Sequence, residues 1–467
     1  MSETTHATMK LFGTDGVRGK ANIEPVTAET ALKLGRAAAH VFRNRHAKPA
    51  ESGSSRHKIV IGKDTRLSGY MLENAMTSGI LSMGVDVLLI GPLPTPGVAY
   101  IARSLRADAA VVLTASHNPY DDNGIKFFDR EGYKLEAAVE HEIEELVFGG
   151  AIDQIRPTAG EVGKATRIDD ALGRYIEFAK ASFPRGMTLD GFRIVVDAAN
   201  GAAYKSTPCI LRELGAEVFV YNNTPNGLNI NKDCGSLHPS GLRQAVIAHR
   251  AHLGIAHDGD ADRVIFCDEN ARLVDGDEIL AVTGVDLLKK GLLRNNTLVA
   301  TLMSNGGLDE AIGKAGGRVI RAQVGDKFVI DEMRRVDANV GGEQSGHLIF
   351  RDFTTTGDGI ISALQVLRVM RETGKTLSEL CRVMHPFPQI MINVKVRTKP
   401  PLDSISGVQE AIKEARSAVQ EAGSVIVRYS GTEPLCRVTL EGRDRAVIER
   451  HAQRIADAVQ NQIGAAS

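Results

Sequence analysis

One pattern recurs three times along this chain and limits what it can fold into: an apolar strand, a small-residue turn, a helix, a glycine and a second apolar strand. The first copy runs from Ile59-Val60-Ile61-Gly62 through Leu81-Ser82-Met83-Gly84 into Val85-Asp86-Val87-Leu88-Leu89. The second joins residues 194–201 to 211–215 and then to Val218-Phe219-Val220. The third joins 298–301 and Ser304-Asn305-Gly306-Gly307 to Ala315-Gly316-Gly317 and Val319-Ile320. Strands that alternate with single helices build parallel or mixed sheets, with helices covering both faces. The spacing predicts three similar α/β domains.

The end of the chain breaks this pattern. Residues 390–396 and 425–429 alternate like half-buried strands, 435–440 add a third, and helical periodicity runs over 408–421 and 445–463. A small α+β domain is expected there, starting near Pro386 to Pro388. At the other end, Ala31, Leu34, Ala38 and Phe42 mark a helix, and residues 46–57, rich in Pro, Gly and Ser, read as a loop. At 467 residues the chain exceeds one ordinary core, and the expected divisions are 1–160, 161–262, 263–384 and 385–467.

A formal net charge of -1 leaves no basic excess for nucleic acid or an anionic membrane surface, so any anion selectivity must be local. The five cysteines are scattered and lack C-x-x-C spacing, which argues against a zinc site or a disulfide framework and for a reducing compartment. No apolar run approaches the ~18 residues of a membrane span, and residues 1–10 have no apolar leader core. The expectation is a cytoplasmic protein with a small-molecule partner, with no nucleic acid and no membrane. Nothing in the chain sets an oligomeric state.

Five polar stretches interrupt the apolar pattern. In Thr114-Ala115-Ser116-His117-Asn118-Pro119, a buried strand (109–113) delivers one serine into a loop. Serine needs a base or cation nearby to become a nucleophile. His117 is adjacent, but neighbouring side chains usually diverge, so it reads as loop structure. Lys126 follows on the next strand, either as a proton carrier with lowered pKa or as a fixed cation facing phosphate.

Asp258-Gly259-Asp260-Ala261-Asp262-Arg263 lies between two apolar runs. In an extended segment alternate residues share a side, so three carboxylates would converge and require a hard divalent cation. An EF-hand is excluded, because Arg263 stands where the sharp turn needs Gly and the flanks read as strands. Residues 341–347 set Glu343, Ser345 and His347 two apart, a pattern for gripping hydroxyls or an amine of a small polar ligand. Residues 428–434, with Arg437 beyond, combine guanidinium, hydroxyls and backbone N–H groups suited to a phosphate dianion. The glycines of residues 12–19 imply tight turns or close backbone approach.

Taken together, residues 12–19, 114–119, 258–263, 342–347 and 428–434 closely resemble the motifs of the α-D-phosphohexomutase superfamily, in the expected order over almost the whole chain. Residues 222–231, 324–327 and 353–359 resemble its glucosamine branch, with conservative departures at Lys327-Phe328 and Thr354. The resemblance implies four domains, three similar α/β and a fourth like the TATA-box-binding protein. It implies an isomerase, an intramolecular phosphotransferase acting on glucosamine 6- and 1-phosphates through a 1,6-bisphosphate and feeding UDP-N-acetylglucosamine synthesis. Ser116 would be the phosphoserine, and Asp258, Asp260 and Asp262 would hold one Mg2+ together with an oxygen on Ser116. Arg18, Lys126 and Arg263 would surround the phosphoryl group, and Glu343 and Ser345 would hold sugar hydroxyls. Arg428, Ser430, Gly431, Thr432 and Arg437 would bind the phosphate that is not transferred. Lys126 is the first candidate for general base and His347 the second.

Three alternatives stand beside this reading. They are a mutase for glucose or mannose phosphates, a Mg2+-dependent phosphatase passing phosphate from Ser116 to water, and a non-catalytic sugar-phosphate binder. A second phosphate site is needed to reorient a bisphosphate but not to hydrolyse a monoester, which favours the mutase.

Overall fold

In the first repeat, short apolar runs form strands because they can be buried on both faces. β1 (Val17–Lys20), β2 (Lys58–Lys63), β3 (Asp86–Pro92), β4 (Ala109–Leu113), β5 (Asp122–Asp129) and β6 (Ala165–Arg167) make a sheet ordered β1-β5-β4-β2-β3-β6. β3 and β4 flank β2 in parallel and β6 pairs parallel with β3, while β5 runs antiparallel to β4 and to β1. All five residues of β4 are buried, as befits a near-continuous apolar strand inside a mixed sheet. This computed structural model describes residues 10–13, 15–45, 56–419, 423–430 and 433–465. The loop expected at 46–57 lies mostly outside them.

The other two repeats build smaller versions of the same sheet. β7 (Arg193–Asp197), β8 (Glu217–Tyr221), β9 (Leu253–His257), β10 (Val264–Asp268) and β11 (Leu273–Val274) are ordered β11-β10-β9-β7-β8. β12 (Thr297–Thr301), β13 (Arg318–Ala322), β14 (Val340–Gly342) and β15 (Leu348–Phe350) are ordered β13-β12-β14-β15. In each, parallel strands end in an antiparallel partner: β10 on β9, and β15 on β14. The divisions expected at 160/161 and 262/263 are both crossed by a sheet, since β6 pairs with β3 and Val264 pairs with His257. The first sheet recruits β6 as an edge strand after its repeat is complete, and the second continues from β9 through β10 to the edge strand β11.

The C-terminal part is the expected α+β layer. β16 (Gln389–Lys395), β17 (Ser424–Tyr429) and β18 (Leu435–Glu441) form an antiparallel sheet ordered β16-β18-β17. The helices Ser406–Val419 and Arg445–Ile463 share its apolar cluster, including Val408, Ile412, Ile448 and Ile455. The chain divides into two compact units, residues 1–302 with 320–381, and 303–319 with 382–467. In the second unit, the Asn305 side chain donates to Phe387 O and Glu441 Oε2, which ties residues 303–319 to the C-terminal layer. Among the described residues no helix is long and apolar enough to cross a membrane. All five cysteines are free thiols.

One buried cap bears on the site. Asp358 begins the helix Gly359–Thr373, accepting from Ile360 N and Ile361 N, and the Tyr175 hydroxyl donates to it at 2.9 Å. Burial raises its pKa from 3.8 to about 6 against those three donors. A carboxyl whose folded pKa is raised contributes fully below the unfolded pKa and loses that contribution as pH rises through about 6. The shift corresponds to on the order of 3 kcal/mol. Asp358→Asn keeps a cap acceptor without the charge, so relative to wild type its melting temperature should rise between pH 4.5 and 7.5. A constant difference across that range in thermal denaturation would disprove the buried-carboxylate cost.

Candidate active site

The three sequence motifs sit at equivalent places in the three α/β sheets. Each occupies the connection from the last parallel strand to its antiparallel partner: residues 114–121 from β4 to β5, 258–263 from β9 to β10, and 343–347 from β14 to β15. The strand repeat therefore delivers three polar loops, one per sheet, at the strand ends where α/β proteins hold ligands.

The serine loop is strained and clamped. Ser116 has φ +51°, a left-handed conformation that costs a non-glycine residue and persists only where its surroundings enforce it. Its N–H donates to Thr114 Oγ1 (2.9 Å), Thr114 Oγ1 donates to Asp64 Oδ2 (2.6 Å), and Asp64 pairs with the fully buried Arg66. Arg66 in turn donates to the carbonyls of Ser116 and Asn118, as does Asn231 Nδ2. Ser116 Oγ then donates to Asp258 Oδ2 at 2.6 Å. The αL backbone also brings His117 Nδ1 to 3.4 Å from that Oγ, correcting the expectation that neighbouring side chains diverge. Burial and the adjacent Arg263 push His117 down to about 4, so it stands beside the serine as a neutral imidazole.

Asp258, Asp260 and Asp262 offer oxygens within 4.8 Å of one another, all buried. They converge through a turn rather than the extended segment expected: residues 258–263 lie outside the strands and Ala261 takes φ +55°. A pleat would send alternate side chains to one face spread along the strand, whereas the turn gathers them to a point. Gly259 permits this, because a Cβ there would lie 2.5 Å from Ser116 O. Asp260 Oδ2 is held by Thr95 Oγ1 at 2.7 Å. The Oδ1 atoms of Asp260 and Asp262 are buried without a hydrogen-bond partner. Burial, reinforced by Asp262 and Asp260, pushes the Asp258 carboxyl well up. Converging, underbonded oxygens of this kind fit a hard divalent cation, which takes oxygen ligands and relieves their repulsion.

Cations surround the triplet. The Lys126 ammonium, buried on β5, lies 3.1 Å from Asp260 Oδ2, 3.1 Å from Asp15 Oδ2 and 3.7 Å from Asp262 Oδ2. Burial lowers its pKa, yet Asp15, Asp260 and Asp262 outweigh burial and raise it, so here it is a fixed cation. Arg18 on β1 pairs with Asp15. Arg263 reaches His117 Nδ1 at 3.2 Å. The Nε atoms of Arg18 and Arg263 are buried donors with no partner, which suits an incoming anion. The turn carrying Arg18 requires Gly16, at φ +76°, where a Cβ would lie 2.4 Å from Ile125 O. Thr14 of that motif lies outside the described residues.

In the third loop, Glu343 is buried and accepts from Gly325 N at 3.0 Å, while Ser345 is exposed. His347 accepts from Gly357 N at Nε2 (3.0 Å) and presents Nδ1 to Asp262 Oδ2 at 3.7 Å. Burial lowers its pKa, but Asp262 and Asp326 prevail and raise it. In the second unit, Arg428 and Arg437 stand directly opposite on β17 and β18. Like charges so placed are destabilising unless an anion lies between them. Arg437 Nε is buried without a partner, and Ser430 is buried at the start of the connecting turn. Gly431 and Thr432 lie outside the described residues.

Four phosphoglucomutase/phosphomannomutase family models match in series: α/β/α domain I over 9–152, domain II over 174–272, domain III over 275–387 and the C-terminal domain over 391–458. A phosphoglucosamine mutase of Syntrophotalea carbinolica is 58% identical over 97% of this chain and 98% of the relative. The chain belongs to the phosphoglucosamine mutase family. Another member, from an Anaeromyxobacter species, is 55% identical over 99% of this chain and 98% of the relative. Two solved structures share the fold of the family at low identity. The phosphoglucomutase/phosphomannomutase family protein of Burkholderia thailandensis superposes with TM-score 0.80 at 22% identity, covering 97% of each chain. The Aspergillus fumigatus N-acetylphosphoglucosamine mutase, solved with GlcNAc-6P and magnesium, gives 0.63 at 19% identity, covering 97% of this chain and 95% of that one.

The motifs did not point to Asp64, Arg66, Thr95 or Lys134, and they marked Asp326 only as part of residues 324–327 with no contact assigned; all five contact the loops or their partners. The available signal was position: Asp64 and Arg66 directly follow β2 at its carboxyl end. A cavity of about 630 Å3 lined by Phe192, His252, Met370 and neighbours contains none of the site residues.

The carboxylate triplet generates a metal prediction. The protein should bind one divalent cation, Mg2+ or Mn2+, with affinity that falls as pH drops, since Asp258 holds its proton well above the usual range. At 100 times the Kd, binding should add about 2.7 kcal/mol of stability. Asp260→Asn should weaken affinity at least about 10-fold and cut the stabilisation at the same metal concentration to about 1.4 kcal/mol or less. Titration and thermal denaturation with unchanged affinity in the variant would remove the triplet as the metal site.

Proposed function

We propose that this chain interconverts glucosamine 6-phosphate and glucosamine 1-phosphate by passing a phosphoryl group through Ser116. The observation that carries the reading is the Ser116 hydroxyl set 2.6 Å from the first carboxylate of a buried Asp triplet, within a family of phosphoglucosamine mutases. In the first half-reaction the bond from phosphorus to Ser116 Oγ breaks and a bond to sugar O1 forms, giving a 1,6-bisphosphate. The bisphosphate turns over, its 6-phosphate returns to Ser116, and glucosamine 1-phosphate leaves.

Transfer of this kind depends on in-line positioning and on stabilising charge on the equatorial oxygens. Arg18 and Arg263 bring unpartnered guanidinium donors, and Lys126 a fixed ammonium, to the phosphoryl group. Asp258, Asp260 and Asp262 would hold Mg2+, which would supply a Lewis acid to a phosphoryl oxygen. The strained, clamped backbone holds Ser116 Oγ in place.

The group that takes the proton of the attacking sugar hydroxyl must itself be unprotonated at that moment, and Lys126 and His347 are the two candidates for it. Lys126 owes its raised pKa, against burial, to Asp15, Asp260 and Asp262, and His347 owes its own to Asp262 and Asp326. With Asp260 and Asp262 committed to a metal, both groups lose carboxylates that hold their protons. Glu343 and Ser345 grip sugar hydroxyls. Arg428, Ser430 and Arg437, with Gly431 and Thr432, take the phosphate that is not being transferred.

Ser116→Ala should lose its phosphorylated mass and at least about 10³-fold of turnover. Mutase activity at the wild-type rate from an unphosphorylated variant, checked by intact-mass measurement, would remove the serine carrier. Glucosamine, glucose and mannose 6-phosphates assayed in parallel should show glucosamine 6-phosphate as the preferred substrate. Arg428→Ala, which removes a charge-assisted hydrogen bond, should raise KM for the sugar phosphate about 10- to 100-fold with metal affinity unchanged. An unaltered KM would take the phosphate away from that loop.

A further inference from the structure

Lys134 is a nearly buried lysine to which the proposed reaction assigns no task. It sits just after β5, where it forms an isolated bridge with Phe128, and its side chain is 11% exposed. Its ammonium donates to two carboxylates far apart in sequence, Asp15 Oδ1 and Asp326 Oδ2. Asp15 is the carboxylate that also holds Arg18 and Lys126. Asp326 opens the helix Asp326–Arg335, and its Oδ2 lies 3.8 Å from His347 Nε2.

The segment around Asp326 has two further attachments. Gly325 N donates to Glu343 Oε1 at 3.0 Å, and Gly325 itself takes φ +128°, a conformation side chains rarely adopt. Lys327 Nζ meets Glu140 Oε2 at 3.3 Å. Segment 325–327 is thus pinned from three directions, and the Lys134 link runs through Asp15 to Arg18 and Lys126.

We propose that Lys134 and Asp326 are positioning residues that fix the sugar-gripping Glu343 relative to Arg18 and Lys126. Lys134 joins the carboxylate that orders the phosphoryl cations to the segment whose N–H orders Glu343. Two ends of one reaction, the phosphoryl group and the sugar ring, are held in register by a single ammonium. The inference rests on the proposed mutase reading for its functional half; its structural half stands independently.

Lys134→Met removes the charge and keeps the length, leaving Asp15 and Asp326 facing each other without their shared cation. Lys134→Arg restores a cation, and Asp326→Asn breaks the same link from its other side. Hydrogen–deuterium exchange on the ligand-free protein should show the amides of 325–328 exchanging at least about 10-fold faster in Lys134→Met. In the same variant kcat/KM for glucosamine 6-phosphate should fall at least about 10-fold, with discrimination against glucose 6-phosphate reduced. Lys134→Arg should recover part of both. The double variant Lys134→Met/Asp326→Asn should cost no more than the worse single one, since both break one link.

Unchanged exchange in 325–328, additive losses in the double variant, or faster exchange with kcat/KM and discrimination intact would each overturn the proposal. If Lys134→Met fails to fold, Asp326→Asn carries the same readouts. Wild-type protein that turns over none of the three hexose phosphates would instead overturn the mutase reading, with the exchange result deciding the link by itself.

Discussion

Charge balance among buried groups is the constraint on which the site depends. Six carboxylates, Asp15, Asp258, Asp260, Asp262, Asp326 and Glu343, gather with four permanent cations, Arg18, Lys126, Lys134 and Arg263. The carboxylates outnumber the permanent cations, and His347, its pKa raised by Asp262 and Asp326, sits among them. Isolated ions in a low-dielectric interior are costly, so such a set survives only when its members are mutually compensated and hydrogen-bonded. The raised pKa of Asp258 is the same imbalance seen from another side, since a proton there quenches one of the excess charges.

The fold supplies this assembly by repetition. Each α/β sheet ends in an antiparallel strand, and the chain must reverse to enter it, so each contributes one loop at the carboxyl end of its last parallel strand. One loop carries Ser116, one the carboxylate cluster and one Glu343 and His347. Close approach between them is fixed by residues with no side chain to obstruct it. A Cβ on Gly259 would meet Ser116 O, and one on Gly346 would lie 2.2 Å from Val264 O. The architecture and the chemistry therefore share one cause.

The strand repeat and the five motifs were legible in the sequence because both are local: an apolar run is a strand wherever it lies, and three Asp residues in five positions are an acidic cluster in any fold. The convergence of Asp258, Asp260 and Asp262 was legible as well, but for a different reason than the pleat of a strand, because the left-handed turn at Ala261 could not be read from its residue type. The placement of His117 failed similarly, through the unusual φ of Ser116. Arg66 and Lys134 were silent, and the pairing of Asp326 went unread, because the partners lie 50 to 192 residues away and spacing along the chain carries no trace of such pairs. One sheet edge also escaped notice, since β6 is only three residues long and fully exposed.

Lys126 shows why residue type and position do not settle a role. On a buried strand, a lysine with no partner has its pKa lowered by desolvation and becomes a base, whereas the same lysine among carboxylates becomes a permanent cation. Desolvation is the largest single influence on Lys126, but three carboxylates acting together exceed it. Two of those three belong to the metal triplet. The protonation of Lys126 is therefore linked to occupation of the metal site, and whatever neutralises Asp260 and Asp262 weakens the hold on its proton. His347 shares Asp262 and is subject to the same linkage.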